Sequence, residues 1–206
     1  LTAFTNATAV LERGTLYIPA GVYKINGTWE ISKNAQNDST QSNFTIQAEG
    51  VKITTTNSDS TTVLKVYDTK RIIINKLEVA GKIAVEGMWW SEWHHVKTSV
   101  QTTFNESDSD YFNQCYWNSF NDCKFDAGIK IDTGSYPSSL REFNKNNFNN
   151  CQIWGGNYNI EIYGTGNAQA NSFSGCDISY STIGVLYVDS VVNDVNLNFD
   201  SACYFD

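Results

Sequence analysis

The stretch Asn146-Asn147-Phe148-Asn149-Asn150-Cys151-Gln152-Ile153 has two close copies, at residues 118–125 and 171–178. All three fit the frame Asn-x-Phe-x-x-Cys-x-apolar, which recurs after 28 and then 25 residues. A degraded fourth copy, with Phe199, Cys203 and Phe205, ends the chain. Repeats of this length are typical of solenoids, in which one supersecondary unit packs on the next.

Short apolar or alternating segments, separated by polar turns, indicate that each repeating unit is built from β-strands. In weaker upstream copies of the frame, Leu77 and Val96 occupy the cysteine position. A second strand follows each clear copy and brings Lys130 beside Glu161 on the next unit, where we expect an ion pair. The asparagines of the frame lie where the coil bends, and we expect their amides to be structural.

Composition excludes two classes of partner for this chain of 206 residues. Its net charge of −8 argues against nucleic acid, which needs a basic surface. No apolar run reaches the roughly 18 residues of a membrane-spanning helix, so no membrane insertion is expected. Because the sequence begins at Leu1 and ends within a repeat, we expect a piece of a longer protein.

Four of the five cysteines hold the same position of the repeat, at Cys123, Cys151, Cys176 and Cys203. Stacked strands lie about 4.8 Å apart, so these thiols are predicted to form a buried column of small apolar groups. Parallel side chains do not suit a disulfide framework. No metal site and no cofactor are predicted, since the chain has no Cys-x-x-Cys pair and its two histidines are adjacent.

The segment Gly14-Thr15-Leu16-Tyr17-Ile18-Pro19-Ala20-Gly21-Val22-Tyr23 resembles the opening coil of the pectate-lyase superfamily of parallel β-helices. The downstream coils are similar to those of bacteriophage tailspikes and capsule depolymerases. The resemblance implies an all-β, single-stranded, right-handed parallel β-helix, with a short capping helix at 1–13 and coils over 14–206. At this repeat period a single domain of 206 residues would hold roughly eight turns.

What the resemblance implies about function is a homotrimeric receptor-binding protein of a phage tail. Such a protein contacts other virion tail proteins, acts outside the host cell, and recognises and often cleaves a bacterial surface polysaccharide. Fold analogy does not establish activity, so hydrolase, lyase and pure binder all stay open. Two alternatives are a non-catalytic structural or adhesion part of a virion, and a secreted cellular polysaccharide lyase or hydrolase.

The densest cluster of candidate functional residues lies at 86–95, where three of the six tryptophans fall within five residues. Exposed indole rings stack on the apolar faces of sugars. We therefore predict carbohydrate contacts for Trp89, Trp90 and Trp93, together with Trp154, which is predicted to point outward. The alternative is that these rings fill the core or pack against a neighbouring subunit.

Glycoside hydrolysis uses two carboxyl groups that flank the scissile bond. Glu86 and Glu92 lie within the tryptophan-rich segment, and Asp126 is predicted to point outward three residues after a cysteine position. These three are the candidate acid and base residues. His94 and His95 are predicted to be polar surface residues.

Overall fold

The computed structural model describes residues 13–32, 43–56, 61–105, 114–134 and 141–206. These residues form an all-β parallel solenoid of about six turns. The count is lower than the roughly eight expected, because that number assumed a coil along the whole chain at the repeat period. Strands begin only at Arg13, and the predicted capping helix at 1–13 otherwise lies outside the described residues. Over these same ranges, no helix is long and apolar enough to cross a membrane.

The first turns contain five strands: β1 (Arg13–Tyr17), β2 (Gly21–Ile25), β3 (Trp29–Ser32), β4 (Asn43–Thr55) and β5 (Thr62–Lys70). The middle turns contain β6 (Ile73–Ala80), β7 (Lys82–Trp89), β8 (Glu92–His94), β9 (Lys97–Thr98), β10 (Thr102–Phe104), β11 (Gln114–Tyr116), β12 (Ser119–Asn121), β13 (Lys124–Phe125), β14 (Ile129–Asp132) and β15 (Glu142–Asn144). The last turns contain β16 (Asn147–Asn149), β17 (Gln152–Trp154), β18 (Tyr158–Tyr163), β19 (Asn167–Ser174), β20 (Asp177–Ser179), β21 (Gly184–Val188), β22 (Asp194–Phe199) and β23 (Tyr204–Phe205).

Pairing between successive turns is parallel throughout and sorts the strands into four stacks that run along the solenoid. Stack 1 joins β1, the starts of β4 and β6, β8, β12, β16 and the ends of β19 and β22. Stack 2 joins β2, the ends of β4 and β6, β9, β13, β17, β20 and β23. Stack 3 joins β3, the starts of β5 and β7, β10, β14, β18 and β21. Stack 4 contains the ends of β5 and β7, β11, β15 and the starts of β19 and β22.

The phenylalanine of the repeat builds the core. Phe120, Phe148, Phe173 and Phe199 stack face to face along stack 1, and each neighbouring pair of ring centroids is 4.7 Å apart. That distance is the spacing of hydrogen-bonded strands, so the rings follow the backbone ladder without strain. Phe120, Phe148 and Phe173 are almost fully buried, and the apolar area that they remove from water stabilises the coil.

The asparagine of the repeat closes each turn from the inside. Asn146 Oδ1 accepts a hydrogen bond from the backbone N–H of Asn118 at 3.2 Å, and its Nδ2 donates to the carbonyl of Cys115 at 2.9 Å. Asn171 does the same for Asn146 and Phe143. These buried amides satisfy backbone groups that the turn takes out of the strand ladders. The predicted structural role of the repeat asparagine is confirmed.

The cysteine column is confirmed as a set of free thiols, all buried except the half-buried Cys203. Each thiol lies near the carbonyl of the residue at the phenylalanine position one turn earlier. Cys151 Sγ is 3.3 Å from the oxygen of Phe120, and Cys176 Sγ is 3.3 Å from that of Phe148. The spacing Phe-x-x-Cys therefore serves a contact between consecutive turns.

Both upstream assignments to the cysteine column are correct, since Glu78 pairs with Lys97 and Lys97 with Lys124. The short step from Glu78 to Lys97 is possible because β6 passes into β7 through Gly81 alone. Any Cβ at this glycine would lie 2.3 Å from Val63 Cγ2.

Lys130 and Glu161 are neighbours as predicted, but the expected ion pair is replaced by other contacts. Lys130 Nζ lies 4.9 Å from the ring centroid of Tyr163. Glu161 instead accepts hydrogen bonds from the Tyr163 hydroxyl at 3.1 Å and from Gln101 Nε2 at 3.2 Å.

Candidate functional site

Trp93 belongs to the core and has no exposed surface. It pairs with Ile74 on one side and Phe120 on the other, so it occupies the phenylalanine position of the repeat. Its ring meets that of Phe120 edge to face, with centroids 5.4 Å apart. A ring enclosed in this way has no face for a ligand, and its role in the structure is packing.

Trp89 and Glu86 are also buried, although they lie near the surface of β7. The Trp89 side chain is 7% exposed, and Lys70 Nζ lies 5.1 Å from its ring centroid. Glu86 Oε2 is 3.0 Å from Lys65 Nζ. Burial, and after it the charge of Glu86, raises the pKa of Asp68, while Lys65 opposes the shift. Asp68 lies at the corner that follows Tyr67 of stack 3, and its carboxyl group interacts with that of Glu86 on the next turn.

Trp90 is the most exposed of the four predicted tryptophans, while Trp154 is half-buried. Trp90 lies at the corner between stacks 4 and 1, and 46% of its surface is exposed. Its ring stacks on that of Trp117, which occupies the same corner one turn later and is 44% exposed. Arg71 lies 5.8 Å from the centroid of Trp90, and Lys145 Nζ lies 5.1 Å from that of Trp117. We call Arg71, Trp90, Trp117 and Lys145 the aromatic corner.

The backbone of the aromatic corner is left-handed at every turn. The φ angles are 54° at Arg71, 51° at Trp90, 55° at Trp117 and 57° at Lys145. This conformation disfavours bulky side chains, and glycine or asparagine would adopt it at lower cost. Ten other non-glycine residues of the described ranges, Ala170 among them, have the same left-handed conformation, so it is a general feature of the corners of this coil. The two tryptophans differ from their equivalents at this corner in being large, aromatic and exposed.

An open groove of about 470 Å³ lies beside the aromatic corner on the Arg71 side of Trp90. Its lining includes Arg71, Ile73, Trp90 and Glu92, so two of the residues predicted from sequence share one cavity. Trp117 stacks on the Trp90 indole, and Arg71, which also lies over this ring, lines the groove together with Trp90. Glu92 Oε2 is 3.0 Å from His94 Nε2, and both side chains point outward from β8.

The groove continues into the outer surface of stack 1, which we call the front face. The front face carries short polar side chains in register, and they hydrogen-bond from turn to turn. Asn149 Nδ2 donates to Asn121 Oδ1 at 2.9 Å, and Ser172 Oγ donates to Asn147 Oδ1 at 2.6 Å. Amides and hydroxyls both donate and accept, so this surface can pair with the hydroxyl groups of a bound molecule.

Asp126 and Trp154 lie together on stack 2, away from the groove. Lys124 joins them, since its Nζ is 3.2 Å from Asp126 Oδ1 and 4.2 Å from the Trp154 ring centroid. Tyr180 meets the edge of Trp154 at 5.4 Å. Of the three predicted carboxylates, Glu86 therefore belongs to stack 3, Glu92 to stack 1 and Asp126 to the end of a stack 2 strand. The fold does not assemble them into one acid and base pair.

Sequence reasoning missed Trp117, Arg71 and Asp68. Trp117 immediately precedes the asparagine of a clear repeat, as Lys145 does in the next. Aligning that preceding position would have placed the two side chains in one column. The same alignment puts Trp93 at the phenylalanine position and therefore predicts that its side chain is buried.

Comparison with known proteins gives no match to a family model, a curated protein or a solved structure. Within the part of the chain that the structure describes, no three His, Cys, Asp or Glu side chains are grouped to hold a metal ion. The candidate site therefore rests on its own geometry: a stacked indole pair, a groove, and a polar face with one carboxylate.

Proposed function

We propose that this chain binds a bacterial surface polysaccharide through the aromatic corner and the front face. The observation that carries the proposal is the exposed Trp90–Trp117 pair beside a groove that also holds Glu92. Indole rings offer apolar surface to the C–H face of a pyranose, and a nearby carboxylate accepts hydrogen bonds from its hydroxyls. A compact apolar ligand would make no use of the row of amide and hydroxyl groups on the front face.

A repeating polymer suits this surface because the front face is itself repetitive. Ser119, Asn147 and Ser172 present polar groups at successive turns, and the spacing between turns is about 4.8 Å. Solenoids provide extended binding surfaces of this kind.

The opening motif at 14–23 and the repeat frame support a more specific assignment. We propose a right-handed parallel β-helix of the tailspike type, which acts as a homotrimer in a phage tail, together with other tail proteins, outside the host cell. A non-catalytic adhesion or structural virion component and a secreted polysaccharide lyase or hydrolase are the competing assignments. A virion-attachment domain encoded in the same gene would support the two virion assignments and exclude the secreted enzyme.

The binding proposal is tested with the full chain and a panel of capsular polysaccharides and lipopolysaccharides. We expect saturable binding to at least one polymer, lost in Trp90→Ala and in Trp117→Ala. Tyr204→Ala is the matched control, because Tyr204 is an exposed aromatic residue of stack 2 in the last turn. Retained binding in both tryptophan variants, or equal loss in the control, would remove the aromatic corner from the site.

Cleavage of a polymer bound across stack 3 is a second candidate function, favoured by Asp68 and Glu86, whose carboxyl groups lie on neighbouring turns beside Lys65. Burial and the charge of Glu86 raise the pKa of Asp68, and a raised pKa favours the protonated form that a general acid needs in glycoside hydrolysis. Mass spectrometry of incubated polymer should then show oligosaccharides of fixed repeat mass. Glu86→Gln and Asp68→Asn should stop their formation, whereas Asp126→Asn should not. Products that persist in both variants would exclude this pair.

A further inference from the structure

The front face is polar but almost free of charge. Its outward side chains form two rows along the solenoid, one through Ser119 and the other through Asn121. Within the described strands of stack 1, these two rows contain one carboxylate, Glu92, one histidine, His94, and no lysine or arginine. Three consecutive turns, which we call the uncharged window, present hydroxyl and amide groups alone, at Ser119, Asn121, Asn147, Asn149, Ser172 and Ser174.

A carboxylate lies at each end of the uncharged window. Glu92 is on the turn before Ser119, and Asp200 follows β22 on the turn after Ser174. The two carboxylates are therefore four turn spacings apart along the solenoid, which is roughly 19 Å. A polymer that runs along the whole window passes both of them.

Asp200 is held in its ionised form. The hydroxyl of Ser174 donates to Asp200 Oδ2, and the backbone N–H of Gly175 donates to Oδ1 at 3.1 Å. These hydrogen bonds, that of Ser174 above all, lower the pKa of Asp200 to about 2. The negative charge at this end of the window is therefore present throughout the neutral pH range.

The two corners beside the front face supply no excess of positive charge. Arg71 and Lys145 lie over the indole rings of the aromatic corner, and Lys76 Nζ is 2.6 Å from Glu49 at the opposite corner. Among the described residues of the face and its corners, the basic ones are Arg13, Arg71, Lys76 and Lys145, and the acidic ones are Glu49, Glu92, Asp122 and Asp200. Charges of the two signs are equal in number.

The neighbouring stacks do not change this balance. On the outer side of stack 2, the charged residues are Lys24, Lys52, Lys97 and Lys124 against Glu78, Asp126, Asp177 and Asp206. Stack 4 has Lys70 against Glu142 and Asp194. Since the chain as a whole has a net charge of −8, its field repels a negatively charged polymer.

The chemistry of the uncharged window favours hydroxyl groups over anions. A sugar hydroxyl that leaves water can exchange its hydrogen bonds for similar ones to amides and hydroxyls, which both donate and accept. A carboxylate, sulfate or phosphate group loses far more hydration, and its removal from water is costly unless a cation pairs with it. The described part of the front face offers no lysine or arginine for such a pair.

We infer that the glycan recognised by this protein is uncharged, and that Glu92 and Asp200 exclude acidic polymers from the front face. This inference rests on the proposed function for its ligand class and adds the charge of the polymer. Neutral sugar residues lie along the uncharged window with their hydroxyl groups paired to its amides and hydroxyls. At the groove, a sugar contacts Trp90 and donates a hydrogen bond to Glu92.

The first test sorts the polymers of the panel by charge, with the full chain as the binding protein. We expect the polymers that bind to be neutral, with an affinity that changes less than about twofold between about 50 and 500 mM sodium chloride. Acidic polymers should bind at least about tenfold more weakly. An acidic polymer that binds best, with an affinity that falls as salt is added, would overturn the inference.

The second test adds charge to a neutral polymer that binds. Oxidation of its primary hydroxyl groups to carboxylates should weaken binding at least about tenfold, because the new charges find no cation on the front face. Reduction of the carboxylates back to alcohols should restore the affinity, which shows that the polymer itself is intact. An oxidised polymer that binds as tightly as the neutral one would contradict the exclusion of anions.

A variant of the window should shift this selectivity. Asn149→Lys places a cation in the middle of the uncharged window, and it should recover about two- to fivefold of the affinity for the oxidised polymer. Thr54→Lys is the matched control, because it adds the same charge at an outward position of stack 2 in an early turn. Equal recovery in the two variants would assign the selectivity to net charge and remove the front face from it.

The inference and the proposed function fail in different ways. A panel from which no polymer binds contradicts the proposed function. An acidic polymer whose binding is lost in Trp90→Ala supports the proposed function and overturns the inference of an uncharged glycan.

Discussion

The indole rings of Trp90 and Trp117 lie 8° from parallel with their centroids 5.2 Å apart, on consecutive turns of the same corner. Because the backbone supplies the spacing between turns, the two rings stack without any movement of the strands. Both residues have left-handed backbone conformations, so the contact is maintained against a local conformational cost. Stability and ligand binding should therefore respond differently to changes at these positions.

We expect a coupling of about 0.5–1.5 kcal/mol between Trp90 and Trp117 in the free energy of unfolding, since stacked aromatic pairs contribute that much beyond burial. A double-mutant cycle with Trp90→Gly and Trp117→Gly, measured by urea denaturation, gives this value. Trp90→Gly should also be less destabilising than Trp90→Ala by about 1 kcal/mol, because glycine adopts the left-handed conformation freely. Additive single variants would show that the rings do not stabilise each other.

Phe148→Ala should destabilise the protein by about 3–5 kcal/mol, the range for a large aromatic side chain removed from a packed core. Phe148 has a stacked ring on each side, at 4.7 Å from both Phe120 and Phe173. Phe205→Ala makes the same substitution at a side chain that is 45% exposed, and it should cost no more than about 1.5 kcal/mol. Chemical denaturation gives the free energy of unfolding of both variants. A similar decrease in the two would show that the phenylalanine stack does not stabilise the core more than an exposed ring does.

Asn146→Ala should cost at least about 2 kcal/mol, because it leaves the buried N–H of Asn118 without its acceptor. The neighbouring Asn147 is exposed, and Asn147→Ala should change the free energy of unfolding by less than about 0.5 kcal/mol. Both can be measured by thermal and urea denaturation. A small effect at Asn146 would mean that water replaces its amide in the turn.

Native thiols should react in a fixed order with a thiol-specific reagent. Cys203 is half-buried and should react first, while Cys115, Cys123, Cys151 and Cys176 should react only on unfolding. Titration with a chromogenic disulfide at pH 8 counts the thiols that react in the native protein, and a second titration in denaturant counts all of them. Fast reaction of more than one thiol in the native protein would show that the column opens.

Stability should also fall in alkaline solution. Burial raises the pKa of Cys115 to about 12, above the value near 8.5 of a free thiol. The stabilising contribution of its neutral form is complete below about pH 8.5 and is lost as the pH rises toward 12. Between pH 8 and pH 11, the melting temperature of the unmodified protein should fall more steeply than that of Cys115→Val, because valine does not titrate. A parallel decline of both would assign the alkaline loss to other groups.

The parallel coil could be predicted from sequence because its repeat encodes contacts between turns. Phe148 stacks on its equivalents, Asn146 caps the next turn, and Cys151 meets a carbonyl of the turn before, so each position of the frame has a periodic partner. The register of Leu77 and Val96 followed from the same pattern and is confirmed by the pairing of Glu78 with Lys97.

The candidate site could be predicted only in part. Trp90 and Glu92 were found because they are unusual residues in a short segment. Composition alone does not distinguish Trp90, at the corner, from Trp93, in the core, whereas alignment of the repeats does. That difference depends on which residue of each turn adopts the left-handed conformation. Asp68 was missed because its coupling to Glu86 connects two turns through stack 3.

The link through Gly81 shows how little chain this coil needs between one strand and the next. Where β6 runs into β7, a single residue without a side chain is sufficient, and the turn still pairs with both neighbours. A longer connection at this corner is therefore not required for the turns to pair. The same corner contains three residues between β9 and β10 and three between β13 and β14, so the length of this connection can vary without changing the strands that it joins.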